Sequence, residues 1–199
     1  MKRLIAIAIA AVALSISAHA ATQDQLAERS LGDAKAPVTV VEYASMTCPA
    51  CALFEREGLP RLKADYIDSG KVRLVYRDYP LDQIAVKTSV ALRCLPPAQF
   101  FPLKAHLFRT QESWAFSKDP IAALRQQTKL AGLSDAQLDA CLVDKQLEDS
   151  ILNSRLQAET YKFSGIPAFI VNDGVPISGA DYDKLKAAID KLLAQRAGK

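Results

Sequence analysis

Two cysteines separated by two residues, Cys48-Pro49-Ala50-Cys51, are the first chemistry this chain offers. Such a pair can cycle between dithiol and disulfide, supply half of a zinc site, or close an inert structural bridge. Zinc held by four thiolates needs a second closely spaced pair, and Cys94 and Cys141 lie far apart in the sequence. A mixed Cys/His site is poorly supplied as well, because His106 is the only histidine beyond residue 20. Position argues against an inert bridge. Val38-Thr39-Val40-Val41-Glu42-Tyr43 is β-branched and aromatic and predicts a buried strand, and Pro49 suits the first position of a helix. Cys48 then stands at the N-cap, where free backbone N–H groups and the positive end of the helix dipole stabilise a thiolate. We therefore expect Cys48 to attack, and Cys51, one turn inside, to resolve the mixed disulfide.

Two further features belong with this pair. Glu42 is an acid in a strand otherwise made of Val, Thr and Tyr, six residues before Cys48. If buried beneath the dithiol, its carboxyl is desolvated, its pKa rises, and it can pass a proton to and from Cys51. Strand alternation alone leaves a solvated, edge-facing glutamate as the other reading. Ile166-Pro167 precedes the apolar run Ala168-Phe169-Ile170-Val171. A proline at the start of a core strand cannot donate to the ladder. A cis Ile166–Pro167 bond would resolve this and expose the Ile166 backbone beside the cysteines, although most X–Pro bonds are trans.

The elements that must position these groups follow from pattern. The helix begun at Pro49 runs to about Ser69-Gly70, with Pro60 implying a kink or restart, and Val72 to Arg77 is the next strand. Strand, helix and strand in this order form a right-handed βαβ unit with parallel strands. Leu81 to Tyr161 contains no convincing strand and reads as short helices punctuated by Pro96-Pro97, Pro102, Pro120 and Gly132, with a capping box at Ser134-Asp135-Ala136-Gln137. After Ala168–Val171, Asn172-Asp173-Gly174 predicts a hairpin turn and Val175 to Ser178 a short return strand. A last helix carries Tyr182, Leu185, Ile189, Leu192 and Leu193 on one face. The fold class is α/β, a thioredoxin-like βαβ–ββα mixed sheet with a helical insertion. Its divisions are a first half over 21–81, of which 21–36 is a polar lead-in, an insertion over 82–161, and a second half over 162–199.

Residues 1–20 have a different character. Lys2 and Arg3, an apolar run from Leu4 to Ile16 and Ala18-His19-Ala20 form the three-part pattern of a secretory signal peptide cleaved after Ala20. The apolar run is too short to span a bilayer. Removing the two charges of this segment takes the formal net charge from +3 to +1. A near-neutral domain has no field for nucleic acid or anionic lipid. Export also places the four cysteines where disulfides persist.

Glu42, Cys48-Pro49-Ala50-Cys51 and Ile166-Pro167, with Gly32-Asp33-Ala34-Lys35-Ala36-Pro37-Val38 and Arg77-Asp78-Tyr79-Pro80-Leu81, resemble the DsbA family of bacterial periplasmic disulfide oxidoreductases, from about Leu31 to the last helix. The resemblance implies dithiol oxidation of unfolded exported proteins with free thiols, a cis-proline loop at Ile166 and Pro167 that pairs with the substrate backbone, and reoxidation by a membrane quinone-linked partner like DsbB. It implies no organic cofactor and no metal. It also implies that Cys94 and Cys141, like a second pair in a subset of the family, form a structural disulfide; two buried free thiols are the alternative. Ala50 departs from the family, whose best-known members have a thiolate-stabilising His there. Disulfide isomerases and reductases of the same fold are the enzyme alternative. They usually carry an oligomerisation segment before the catalytic domain, and only 16 residues separate Ala20 from Pro37, so a monomer is expected. A non-catalytic module using the pair to hold a metal or a client is the alternative of a different class.

Overall fold

The computed structural model describes residues 21–198, so the signal segment expected over 1–20 lies outside the described residues. The frame is a five-stranded sheet in the order β1-β3-β2-β4-β5. β2 (Val38–Ala44) and β3 (Val72–Asp78) are parallel, while β1 (Arg29–Leu31), β4 (Ala168–Val171) and β5 (Ile177–Ser178) join antiparallel to β3, β2 and β4 respectively. This is the thioredoxin-like arrangement expected, with one strand more. The stretch read as a lead-in forms α1 (Gln23–Leu26), closed by a Thr22/Gln25 capping box, and then β1. A three-residue strand is too short to show period-2 alternation, so only its pairing with β3 defines it.

The crossover between β2 and β3 is one continuous helical run. It starts as α2 (Pro49–Leu53), widens through a π turn (Phe54–Gly58), resumes as α3 (Leu59–Leu62) and ends in a second π turn (Lys63–Ile67). The first widening lies just before Pro60, which has no N–H to give the helix. Gly58 is required here, because a Cβ would collide with the Phe54 ring, which packs 4.5 Å from Phe169. Successive β2 side chains alternate between the two faces. Val38 and Val40 pack under this helix and α10 (Tyr182–Ala197), whereas Tyr43 joins Ala168, Ile170 and Ala158 on the opposite face.

Between the two halves lie α4 (Gln83–Arg93), α5 (Pro97–Arg109), α6 (Gln111–Trp114), α7 (Pro120–Leu130), α8 (Asp135–Leu142) and α9 (Lys145–Glu159). Asp82, Asp119, Ser134 and Asp144 cap four of them by accepting backbone N–H groups. Pro102, expected to punctuate, sits inside α5, where burial of Phe100, Leu103, Leu107 and Phe108 outweighs one missing helical hydrogen bond. In the hairpin, Asn172 and Asp173 rather than Gly174 take positive φ, at 45° and 59°, and the return strand begins at Ile177 rather than Val175. Helices α4 to α8 and the start of α2 share one core, which holds Met46, Cys48, Cys51, Tyr76, Phe100, Leu107, Phe108 and Trp114, while α9 packs Leu147 and Ile151 against Val90.

Cys94, at the end of α4, and Cys141, in α8, are bonded across a sequence separation of 47. Closing a loop of that length removes about 4 kcal/mol of chain entropy from the unfolded state. Replacing both residues with Ala should lower the equilibrium stability by about 2–4 kcal/mol in urea melts followed by far-UV circular dichroism. An unchanged midpoint would mean that packing alone holds α4 to α8.

Candidate functional site

The site is built where β2 ends. Ser45, Met46 and Thr47 form a tight loop: Ser45 Oγ accepts the Thr47 and Leu81 N–H groups, and Thr47 Oγ1 donates to the Asp82 carboxylate at 2.7 Å. The Cys48 N–H donates to the Ser45 carbonyl at 3.1 Å, which leaves Cys48 in extended backbone as the N-cap of α2. Its Sγ accepts the Cys51 N–H at 3.4 Å and lies 3.7 Å from the Ile166 carbonyl. The Ile166–Pro167 peptide bond is cis, which brings that carbonyl to the sulfur. Both cysteines are free thiols; Cys48 keeps 6% of its surface exposed and Cys51 none.

Their surroundings drive the two thiols apart. The Cys48 pKa falls to about 6, first because it shares a hydrogen bond with the Cys51 thiol, then through the Cys51 and Ala50 N–H groups, against the opposing effect of burial. Cys51 moves far upward, mainly through burial, with the Cys48 and Glu42 charges adding to it. One cysteine is therefore an anion at neutral pH and its neighbour holds its proton.

Glu42 is on the face of β2 that packs against the helix, 1% exposed, in register with Tyr76 on one side and Phe169 on the other. Neither carboxyl oxygen has a hydrogen-bond partner. Burial raises its pKa to about 7, with the nearby Lys104 charge lowering and the Glu55 charge raising it. Lys104 itself is fully buried, 2.5 Å from the Glu55 carboxylate and 4.7 Å above the Tyr76 ring, and the Tyr76 hydroxyl donates to Met46 Sδ at 3.7 Å.

Sequence reading missed part of this arrangement. Gln111, on α6, is buried and donates to the carbonyls of Met46 and Cys48 at 2.9 and 3.1 Å, so the insertion holds the cysteine loop directly. Lys104 carried a readable signal, since it falls between Phe100 and Leu107 on the apolar face of α5. Gln111 carried none, because a glutamine in a short helix is ordinarily solvated. Cys94 and Cys141 do not join the site. Among the described residues, no three His, Cys, Asp or Glu side chains converge to hold a metal ion.

The thioredoxin family model matches residues 24–191 of the chain. A Rickettsia typhi protein, provisionally named a protein-disulfide oxidoreductase, is 34% identical over 166 residues, which cover 82% of this chain and 61% of that protein. The chain thus spans less than two thirds of the length of these rickettsial relatives. Disulfide bond formation protein D of Bacillus subtilis is 29% identical over 174 residues, or 82% of this chain and 76% of that one. Among solved structures, Wolbachia pipientis alpha-DsbA1 superposes with a TM-score of 0.77 at 28% identity, over 84% of this chain and 92% of that one. Oxidised BdbD of Bacillus subtilis, 24% identical with a TM-score of 0.71 over 84% and 93% of the two chains, shares the fold.

Two outcomes follow from the geometry. Thiolate absorbance of the reduced protein should titrate Cys48 near pH 6, the value its surroundings impose. In Gln111→Met, which keeps the volume but lets the Met46–Cys48 loop drift, that midpoint should rise to roughly 7; an unmoved midpoint would free Gln111 of any positioning role. Glu42 affects stability with a definite sign. Its folded pKa, about 7, lies above the ordinary 4.5, so below pH 4.5 the buried carboxyl is neutral in both states and above pH 7 its ionised form must be buried on folding. The stability of Glu42→Gln relative to the native chain should therefore grow by about 3 kcal/mol between those pH values. Parallel urea melts across the interval read it, and a constant difference would mean a carboxyl that titrates normally.

Proposed function

This chain belongs to the thioredoxin family, in its DsbA-like branch, and we propose that it is a thiol–disulfide oxidoreductase that introduces disulfide bonds into exported proteins through Cys48 and Cys51. The observation that carries this reading is the split between the two thiols at the start of α2: a slightly exposed N-cap sulfur that is stable as an anion, beside a fully buried one that is not. In the oxidised enzyme, a client thiolate attacks Cys48 Sγ. The Cys48–Cys51 bond breaks, its electron pair goes to Cys51, and a client–Cys48 disulfide forms. Cys51 cannot remain an anion in its surroundings. Glu42, whose carboxyl is poised near neutrality, gives it a proton and takes one back on reoxidation. A second client thiolate attacks the client sulfur of the mixed disulfide, and Cys48 leaves as its stable thiolate. The client loses two electrons and the enzyme pair gains them.

The remaining roles belong to the same proposal. Ile166, with its carbonyl beside Cys48 and Pro167 in cis, receives the client backbone. Pro49 and Ala50 set the helix start. Reoxidation falls to a membrane quinone-linked partner of the DsbB kind, in the periplasm, with the chain acting as a monomer after cleavage at Ala20. The similarity to DsbA-like proteins and the export-type N-terminus support this setting, and among the described residues no helix is long and apolar enough to cross a membrane.

The test is equilibration of the Cys48–Cys51 couple against glutathione, together with oxidation of an unfolded dithiol client. A stabilised Cys48 thiolate favours the reduced form, so the couple should be more oxidising than glutathione, and Cys48→Ala should abolish client oxidation. A couple more reducing than glutathione would make the chain a reductase and overturn the oxidase reading.

A further inference from the structure

Beside the redox pair lies a cleft of about 420 Å³ that the reaction above does not use. Pro49 forms its edge next to Cys48, and Arg56, Arg109, Gln111 and Glu112 are among its walls. Arg56 comes from the π turn that follows α2, and Arg109 ends α5. Both arginines are exposed to solvent. Of the ten described arginines, six hold a carboxylate in an ion pair and four, Arg29, Arg56, Arg109 and Arg196, do not; Arg56 and Arg109 are the two of these that share a cleft, although Glu112 lines it too.

We propose that this cleft is a subsite for a carboxylate of the client, an acidic side chain adjacent to its reactive cysteine. This deepens the oxidoreductase reading and rests on it. A guanidinium presents paired N–H donors that match a carboxylate in two parallel hydrogen bonds. Two of them, against the single acid Glu112, leave the cleft one positive charge in excess. Pro49, next to Cys48 in the chain, lines the cleft and Ile166 does not, so on this proposal the backbone at Ile166 and the side chain in the cleft are two separate points of attachment for the client. The cysteine loop and the cleft also share a wall. Gln111, which donates to the Met46 and Cys48 carbonyls, also lines the cleft. The subsite makes the enzyme selective among exported thiols by the charge beside the cysteine.

The experiment uses dithiol peptides identical except for Glu, Gln or Lys next to the attacking cysteine, with glutathione, whose carboxylates are a second source of the same chemistry, as a parallel arm. For the native chain, kcat/KM for the Glu peptide should exceed that for the Gln peptide roughly three- to tenfold at low salt, with the Lys peptide slowest; the ratio should shrink as salt rises. In Arg56→Ser/Arg109→Ser the Glu-to-Gln ratio should fall to one. A ratio of one in the native chain, or an unchanged ratio in the double variant, overturns the subsite. A preference seen only with glutathione overturns the client assignment.

A second arm separates the subsite from catalysis. Reduced Cys51→Ala is mixed with single-cysteine peptides carrying a thionitrobenzoate disulfide. The Cys48 thiolate attacks the peptide sulfur, the S–S bond breaks, and coloured thionitrobenzoate leaves with the electron pair. This exchange needs no oxidant and no turnover. A Glu preference here with no turnover of dithiol peptides would overturn the oxidase reading and leave the subsite standing; equal rates here would overturn the subsite whatever the turnover.

Discussion

One weak hydrogen bond, from the Cys51 N–H to the Cys48 sulfur, is what the remaining structure is arranged to keep. It exists only if Cys48 stays in extended backbone while Cys51 is already helical, which is the geometry of an N-cap. Left alone, a helix start frays. Here Ser45, Thr47 and Asp82 pin the loop before it, Gln111 holds two of its carbonyls, and the cis Ile166–Pro167 bond closes the third side. Pro49 removes one N–H that would otherwise need a partner. With Ala at position 50, the Cys48 thiolate is stabilised first by the Cys51 thiol and then by the Cys51 and Ala50 N–H groups, and all of these depend on the loop backbone staying in place.

The helical insertion takes part in holding this geometry. It supplies Gln111 above the cysteine loop and Lys104 beneath it, and its Phe100, Leu107, Phe108 and Trp114 share one core with Cys48 and Cys51. A shift of α5 or α6 would therefore alter the Cys48 backbone and the charge near Glu42 together. The Cys94–Cys141 bridge joins α4 to α8, away from the cysteine loop, and limits how far these helices can separate.

Much of this was legible in the sequence because it is local. The strand before Cys48, Pro49 at the helix start, the capping box at Ser134 and the amphipathic last helix each depend on residues a few positions apart. Glu42 was visible as an acid among β-branched neighbours, but its face required the register with Tyr76 and Phe169, which only the assembled sheet provides. β1 was hidden because its identity is its pairing. The first π turn was signalled only as a kink or restart at Pro60, and the second not at all. Gln111 and Arg56 were invisible for a common reason: their significance is a contact with, or a place beside, a loop more than fifty residues away in one case, and an ion pair they do not make in the other.

The buried charges near the cysteines bear directly on the proton transfer proposed for Glu42. Lys104 and Glu55 form an internal pair whose charges cancel at 2.5 Å. Glu42 has no such partner and is the odd charge of the group, which is why burial outweighs the Lys104 attraction and leaves its carboxyl near neutrality. If Glu42 stayed ionised while Cys51 left as a thiolate, two uncompensated anions would share a region with almost no water. The energy of that state rises steeply as the local dielectric falls. In the proposed relay, a protonated Glu42 leaves a single anion to accommodate, and transfer of its proton to Cys51 would move that anion onto the carboxyl, where Lys104 attracts it. In that relay Lys104 would act in two opposite ways with one charge: paired with Glu55, its attraction does not outweigh the burial that raises the Glu42 pKa, yet the same attraction would favour the carboxylate that the transfer creates.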